Sequence, residues 1–166
     1  MDNDFIDLHS DAYFMGEAVR QARRALAADE VPVGAVIVHE GTIIARAFNQ
    51  VETLKDATAH AEIVALRDAA RTLGHWRVDG TLVVTQEPCP MCAGALVHVR
   101  MRRVIFGCPS EKDGAGGSLV QLLQHPRLNH RCEITQGVRQ DECVALLQAF
   151  FREKRQLDRP DSQSER

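Results

Sequence analysis

Three residues that bind borderline-soft metals stand in two short motifs near the middle of the chain. His60 opens a His-Ala-Glu motif, and Cys89 and Cys92 belong to a Pro-Cys-Pro-Met-Cys motif. One imidazole nitrogen and two thiolates suit Zn²⁺, which prefers a tetrahedral set of ligands. Three protein ligands leave the fourth position open for water, as in catalytic zinc sites. The sequence therefore predicts one zinc ion per chain at these residues.

The segments around the cysteines predict how the chain positions them. Residues 81–85, Thr-Leu-Val-Val-Thr, form the β-branched run of a short strand, and apolar residues recur at helical spacing after Cys89. Cys89 and Cys92 would then lie three positions apart in the first turn of a helix, where side chains share one face. The helix N-terminus also favours the thiolate form of both residues.

Glu62 is placed for a different task from that of His60. Side chains two positions apart on a helix do not face the same way, so the two residues do not form the pair of neighbouring ligands found in zinc proteases. If His60 binds the metal, Glu62 lies beside the open coordination position. That is the location of a proton carrier, not of a fourth ligand.

Two other interpretations of the cysteine motif stay open at this point. A Cys-x-x-Cys pair between a strand and a helix is also the arrangement of thioredoxin-like redox proteins. A structural zinc site would need a fourth protein ligand, which Cys108, Cys132 or Cys143 could supply. The His-x-Glu motif upstream and the two flanking prolines favour the catalytic zinc site.

The two motifs together resemble the signature of zinc-dependent base deaminases, His-x-Glu followed by Pro-Cys-x-x-Cys. Further stretches narrow the resemblance to the bacterial tRNA adenosine deaminases, and together they extend from about residue 12 to residue 156. The stretches that carry it are residues 31–36 (VPVGAV), 58–63 (TAHAEI), 87–89 (EPC), 91–95 (MCAGA), 116–119 (GGSL), 128–131 (LNHR) and 150–152 (FFR).

The resemblance implies a reaction, a partner and a quaternary structure. The reaction is hydrolytic deamination of the wobble adenosine of a tRNA anticodon to inosine, with a zinc-activated water as nucleophile and Glu62 as proton shuttle. The partner is a tRNA anticodon stem-loop, and the chain is expected to form a homodimer. The remaining residues to which the resemblance assigns substrate contacts are Asn49, Ser110, Phe151, Arg152 and Arg155.

Each substrate contact has a simpler alternative. Asn49, implied to hydrogen-bond the target base, could be an ordinary loop cap, and the basic residues after Phe151 could be the solvated face of the last helix. Ser110 stands where the family usually has an aspartate near a ribose 2′-hydroxyl, so the resemblance supports that contact least.

Two rival functions share the zinc motif. A free-base or nucleotide deaminase, acting on guanine or cytosine, would need no basic C-terminal helix. A non-catalytic RNA-binding partner subunit would keep zinc without turnover, although the presence of Glu62 favours an active enzyme.

Composition is that of an ordinary globular protein. The chain has 166 residues, 45% of them hydrophobic and 26% charged, which predicts one domain with a sizeable core. The acidic N-terminus does not resemble a signal peptide, no apolar run approaches the ~20 residues of a membrane span, and five cysteines do not suggest a disulfide framework. We therefore expect a cytoplasmic protein. The net charge of −3 does not suggest a nucleic-acid binder, but RNA binding depends on local basic patches.

Strands and helices alternate along the chain, which predicts an α/β domain with a mixed sheet between two helical layers. The resemblance implies the same three-layer α/β/α, cytidine-deaminase-like fold, with about five strands. We expect a flexible N-terminus at residues 1–10, the deaminase domain at 11–159 and a disordered tail at 160–166. The segmentation predicts strands near residues 33–38, 42–48, 81–85, 103–106 and 133–138, a polar connection at 49–58, a functional loop at 107–117 and a short helix at 119–123.

Overall fold

The computed structural model describes residues 7–159. The flexible N-terminus expected at residues 1–10 lies mostly outside this range, and the tail expected at 160–166 lies wholly outside it. The elements are α1 (Asp11–Ala27), β1 (Gly34–His39), β2 (Thr42–Phe48), α2 (Val51–Leu54), α3 (Ala61–Leu73), β3 (Thr81–Gln86), α4 (Pro90–His98), β4 (Arg103–Cys108), β5 (Glu133–Gln136) and α5 (Gln140–Leu157).

The five strands form one mixed sheet in the order β2-β1-β3-β4-β5. Strand β1 pairs antiparallel with both β2 and β3, whereas β3, β4 and β5 run parallel to one another. Two of these pairings follow directly from their connections. A two-residue turn joins β1 to β2, while α4 joins β3 to β4 in the crossover that a parallel pair requires.

Helices cover both faces of the sheet and make three layers. Successive side chains of a strand point to opposite faces. On one face Ile37, Leu82 and Phe106 belong to a core that also contains buried residues of α3 and α4. On the other face Val36, Val83 and Ile105 pack with residues of α1 and α5. The predicted three-layer α/β/α fold with a five-stranded mixed sheet is confirmed.

The sheet brings the ends of several strands to one edge, and this edge positions the site. Because β3 and β4 are parallel, their carboxyl ends meet there, and the segments that follow them carry Cys89 and Ser110. Pairing of Gly34 with Phe48 places the end of β2 at the same edge, directly before Asn49. Strand pairing therefore brings Asn49, Cys89 and Ser110 close together, although no single sequence motif contains them.

The prediction of a short helix at residues 119–123 is wrong. This segment folds back on the preceding loop, with Gly116 and Gln121 in an isolated antiparallel bridge and the Leu122 N–H donating to the Ala115 carbonyl oxygen at 2.9 Å. Its backbone groups pair with the loop, so they do not form i to i−4 bonds. Leu123 is fully buried at the end of the segment, and this apolar anchor, not helical periodicity, explains the leucine there.

A short helix that the sequence did not predict lies within the polar connection 49–58. Helix α2 spans Val51–Leu54, and the buried Glu30 carboxylate accepts hydrogen bonds from the N–H groups of Glu52 and Thr53 at 3.2 and 2.6 Å. A carboxylate at this position satisfies donors that have no partner within the helix. Among residues 7–159, no helix is both long enough and apolar enough to cross a membrane.

Candidate metal centre and active site

The three side chains that the sequence marked as metal ligands converge. One ligand atom from each of His60, Cys89 and Cys92 lies within 4.8 Å of the other two. Both sulfur atoms are 3.5 Å from His60 Nδ1. A tetrahedral zinc ion about 2.1 Å from nitrogen and about 2.3 Å from sulfur would separate these atoms by about 3.6 Å. The donor set therefore fits zinc in both chemistry and spacing.

Two helix N-termini deliver these ligands. His60 is the N-cap residue of α3, and its carbonyl oxygen accepts the first bond of the helix from Val64 at 3.0 Å. Cys89 is the N-cap residue of α4, and Pro90 follows at a position where the missing N–H costs nothing. Cys92 then lies in the first turn, as predicted.

The two thiols form a coupled pair with unequal proton affinities. The pKa of Cys89 is lowered to about 4, first by the hydrogen bond from Cys92 and then by that from His60. The pKa of Cys92 is raised, first by the same hydrogen bond and then by burial. The pair thus releases one proton readily and retains the other, and a bound divalent cation would favour the thiolate form of both.

Glu62 is buried beside this cluster, with 4% of its surface exposed. Burial raises its pKa, while a hydrogen-bonding contact with Cys92 and the nearby His60 oppose that rise. Burial therefore shifts the pKa of this carboxyl group in the direction that favours its protonated form. The side chain has the location and the environment that a general acid and base requires.

The geometry does not favour the two alternatives for the cysteine motif. Among residues 7–159, the only group of three or more potential ligands in mutual contact is His60, Cys89 and Cys92, so none of the remaining cysteines supplies a fourth ligand. Cys108 instead donates to the Thr85 carbonyl oxygen at 3.4 Å. Convergence of both sulfurs on one imidazole nitrogen is the arrangement of a metal site rather than of an isolated redox pair.

Residues 8–108 match the family model of the cytidine and deoxycytidylate deaminase zinc-binding region, which covers more than half of the chain. The chain belongs to this family. Among curated relatives of this deaminase, the tRNA-specific adenosine deaminase of Bacillus subtilis (strain 168) is 49% identical over 146 residues, covering 87% of this chain and 91% of the relative.

The fold of the deaminase is similar to the solved structures of other deaminases. A structure from work on A-to-I editing by tRNA:A34 deaminases at the wobble position of transfer RNA superimposes with a TM-score of 0.79 at 42% identity, covering 81% of this chain and 99% of that chain. A guanine deaminase from Nitrosomonas europaea superimposes with a TM-score of 0.75 at 26% identity, covering 90% of this chain and 88% of that chain. The resemblance to the tRNA-specific adenosine deaminases is confirmed.

Asn49 lies in the segment of the deaminase that runs beside the N-terminus of α3. The next residue, Gln50, donates its backbone N–H to the Ala59 carbonyl oxygen at 3.0 Å, adjacent to His60. The buried Asn49 amide donates to Val31 O at 3.3 Å and accepts from the Val51 N–H at 3.4 Å. An amide has two N–H donors and two oxygen lone pairs, so one donor and one acceptor position remain after these bonds.

Ser110 belongs to the loop that follows β4, and Glu87 holds this loop. The Ser110 N–H donates to Glu87 Oε1 at 3.1 Å, and the Ser110 hydroxyl donates to the carboxylate of Asp113. The Ala115 N–H donates to Pro88 O at 2.8 Å, directly before Cys89. The loop therefore lies against the cysteine turn. The hydrogen bond with Cys89 is the main cause of the raised pKa of His60, and the negative charge of Asp113 adds to it.

The residues of α5 that are predicted to contact RNA lie in the helical layer of α1 and α5, on the other side of the sheet from α3 and α4. Phe151, Arg152 and Arg155 are exposed, and among the described residues neither arginine forms an ion pair. Lys154 differs from them because its ammonium group lies 2.8 Å from a carboxylate oxygen of Asp29. Asp29 comes two residues before Val31, so this contact joins the C-terminal half of α5 to the segment whose Val31 carbonyl oxygen accepts from Asn49.

Three carboxylates hold the segments around the site by accepting hydrogen bonds, and the sequence analysis did not predict this role. They belong to Glu87, Asp113 and Glu30. Glu87 stands out in the sequence only as part of a resemblance, and neither Asp113 nor Glu30 belongs to a motif. The available signal was the length and polarity of the 107–117 loop, since a loop so long must satisfy its backbone donors somewhere. That signal does not identify the acceptor.

Proposed function

We propose that this protein converts the wobble adenosine of a tRNA anticodon loop to inosine by hydrolytic deamination. The observation that carries the proposal is the cluster of His60, Cys89 and Cys92 with the buried Glu62 beside it, in a chain closely similar to tRNA-specific adenosine deaminases. We assign zinc binding to the three clustered residues. Zinc bound there would lower the pKa of water to about 7 and so make a nucleophile available at neutral pH.

Glu62 moves the protons of the reaction. Its carboxylate takes a proton from the attacking water and delivers it to N1 of adenine as the oxygen adds to C6. The proton of the new C6 hydroxyl group then passes through the same carboxyl to the amino group, which leaves as ammonia. Inosine keeps the N1 proton, so atoms and charge balance. General acid and base catalysis of this kind contributes about 10²–10⁴-fold to a rate.

Asn49 and the loop of Ser110 hold the flipped nucleotide on either side of the cluster. The free donor and acceptor of the Asn49 amide fit the edge of a purine, which presents both kinds of group. The Ser110 hydroxyl donates its proton to Asp113, so it can only accept from a ribose 2′-hydroxyl. Asp113 offers a carboxylate for the same purpose, which compensates for the missing aspartate at position 110.

The exposed side chains at the end of α5 recognise the anticodon stem-loop. The Phe151 ring, 44% exposed, offers a surface on which a base can stack. Arg152 and Arg155 offer guanidinium groups to phosphates. The target base lies in a single-stranded loop, where flipping costs little unstacking energy.

The decisive experiment compares two classes of substrate. Purified zinc-loaded protein is incubated with an anticodon stem-loop that carries a wobble adenosine, and the digested RNA is examined for inosine. The same protein is incubated with free guanine, because a guanine deaminase shares the fold. Inosine without xanthine is the expected result. Xanthine without inosine would establish the free-base function, and neither product from zinc-loaded protein would favour the non-catalytic subunit.

We also propose a homodimer that uses the exposed face of α4. Met91 and His98 lie on this face, and Trp76, 53% exposed, stands 5.9 Å from the His98 ring. An exposed apolar and aromatic surface of this kind is typical of an interface. Sedimentation equilibrium should give twice the chain mass, and Met91→Glu should give the monomer.

The five free cysteines agree with a cytoplasmic enzyme, the compartment that we propose.

A further inference from the structure

The loop between β4 and residue 119 is folded around the carboxylate of Glu87. Glu87 Oε1 accepts from the Ser110 N–H at 3.1 Å, and Oε2 accepts from the N–H groups of Gly116 and Ser118 at 2.9 and 3.1 Å. The hydroxyl of Ser118 also donates to Oε1. Two segments of one loop thus meet on a single carboxyl group.

The Glu87 carboxylate depends on these donors. Its side chain is buried, with 4% of the residue surface exposed, and the four donors are all neutral groups of the loop. A buried carboxylate is costly unless hydrogen bonds replace its water. Opening the loop would therefore expose the Glu87 carboxylate to solvent or leave it buried without hydrogen-bond donors. This cost favours a single closed conformation of the loop.

The loop backbone packs closely against the Glu87 carboxylate at Gly114. A Cβ atom added at Gly114 would lie within 2.3 Å of Glu87 Oε2 and 2.4 Å of Ser110 O. The Gly114 N–H itself donates to Ser110 O at 2.8 Å. Glycine is required at this position because the loop backbone closes directly on the carboxylate.

Glu87 also connects this loop to the metal centre. Its backbone N–H donates to Cys108 O at 2.8 Å, and the next two residues of the chain are Pro88 and Cys89. Pro88 O in turn accepts from Ala115 in the middle of the loop. One residue therefore sets the distance between the cysteine turn and the segment that presents Ser110.

We propose that Glu87 is a positioning residue for substrate binding, which acts by fixing Ser110 and its loop against the zinc site. This inference rests on the proposed function, because Ser110 is assigned there to the nucleotide. Among the described residues, the hydrogen bonds of the Glu87 carboxylate all come from the loop, and none comes from the metal-ligand cluster. The effect of Glu87 therefore falls on the binding of the nucleotide and not on the chemical step.

Glu87→Gln tests the proposal, because an amide nitrogen cannot accept the N–H bonds that the second carboxylate oxygen receives. Zinc content stays at one per chain, and kcat on the stem-loop changes less than KM. KM rises by at least about tenfold, which corresponds to about 1.4 kcal/mol. Glu111→Gln is the matched control, since it removes the same charge from an exposed position of the same loop. It does not raise KM.

A double-mutant cycle with Ser110→Ala separates positioning from general destabilisation. If Glu87 acts through Ser110, Glu87→Gln raises KM less in the Ser110→Ala protein than in the wild type. Additive effects on KM, or loss of zinc from Glu87→Gln, would overturn the proposal.

Hydrogen exchange of the Ser110, Gly116 and Ser118 amides provides a measurement that needs no substrate. Exchange at these amides accelerates in zinc-loaded Glu87→Gln while the helical amides of α3 keep their protection. Unchanged loop exchange would refute the role of Glu87. Absence of inosine from the wild type, with the exchange result intact, would instead refute the proposed substrate.

Discussion

Burial gives Glu62 a proton affinity that its residue type alone would not provide. The side chain stands two positions after His60 at the start of α3, and it is enclosed near Cys92. An exposed carboxyl would remain ionised near neutral pH and could not hold a proton for the leaving amine. Burial raises the pKa of the Glu62 carboxyl group, which is the direction that the proposed proton transfers require.

Cys89→Ser and Cys92→Ser should each lose both zinc and inosine formation. Each change removes one of the two thiolates that face His60 Nδ1 at 3.5 Å, and a neutral hydroxyl is a poor zinc ligand. Metal analysis by mass spectrometry and an inosine assay provide the two readouts. Cys132→Ser, a buried cysteine outside the cluster, is the control and should keep its zinc. Folded, metal-free protein with a Cys89–Cys92 disulfide would instead support the redox interpretation.

Glu62→Gln should keep the fold and the zinc while turnover falls by at least about 10²-fold. The amide has the same shape as the carboxyl but cannot transfer protons, and Glu62 is not one of the three clustered ligands. Single-turnover deamination and zinc content should be measured on the same preparation. Loss of zinc in this variant would show that the carboxylate is a ligand.

Helix α5 divides its basic residues between two tasks. Lys154 pairs with Asp29 and lies 5.4 Å from the Phe150 ring, so it attaches the helix to the domain. Hydrogen bonding to Asp29 raises the pKa of Lys154. Arg152 and Arg155 keep their charges available for a partner.

Replacing Arg152 and Arg155 together by glutamine should weaken stem-loop binding at low salt. The dependence of log affinity on log salt should become shallower by about one unit for each phosphate that the variant no longer neutralises. Lys154→Gln makes an equal change of charge per residue on the same helix and should alter the slope much less, because its charge already faces Asp29. Binding isotherms at several salt concentrations provide the comparison. Identical slopes for wild type and the double variant would exclude α5 from the interface.

The three cysteines outside the cluster are parts of the core of the whole molecule. Burial raises the pKa of Cys108 and Cys132 to about 11 and that of Cys143 to about 12. Their folded pKa values lie above the ordinary value of 9.0. The stability that comes from keeping them neutral is therefore fully present below about pH 9 and is lost as the pH rises toward the folded values.

Zinc-loaded protein should therefore resist alkylation at these three thiols at about pH 8.5, close to the pKa of an unperturbed cysteine. Iodoacetamide should modify them only when denaturant unfolds the chain, because neither the thiolate form nor access is available before then. Peptide mass spectrometry along a denaturant series tests this expectation. The free energy of unfolding should also fall more steeply above about pH 9 in wild type than in Cys132→Ala. Rapid alkylation of the folded protein would show that these thiols are reactive.

The sequence by itself determined the chemistry and the architecture. The candidate metal ligands and the candidate proton carrier stand in short motifs. Their residue types and spacing predicted that His60, Cys89 and Cys92 form one metal site, and the family resemblance added the role of Glu62. Alternation of strands and helices predicted the three layers, because hydrophobic periodicity is a local property of the chain.

Only the tertiary structure decided how the site is held together. Glu87 meets Ser110 and Ser118 across 23 and 31 residues, and Lys154 meets Asp29 across 125. Such contacts leave no periodic signal, since each depends on which segments the sheet brings to one edge. The same reason accounts for the wrong helix at residues 119–123, where backbone donors pair with the neighbouring loop instead of with carbonyl groups one helical turn away.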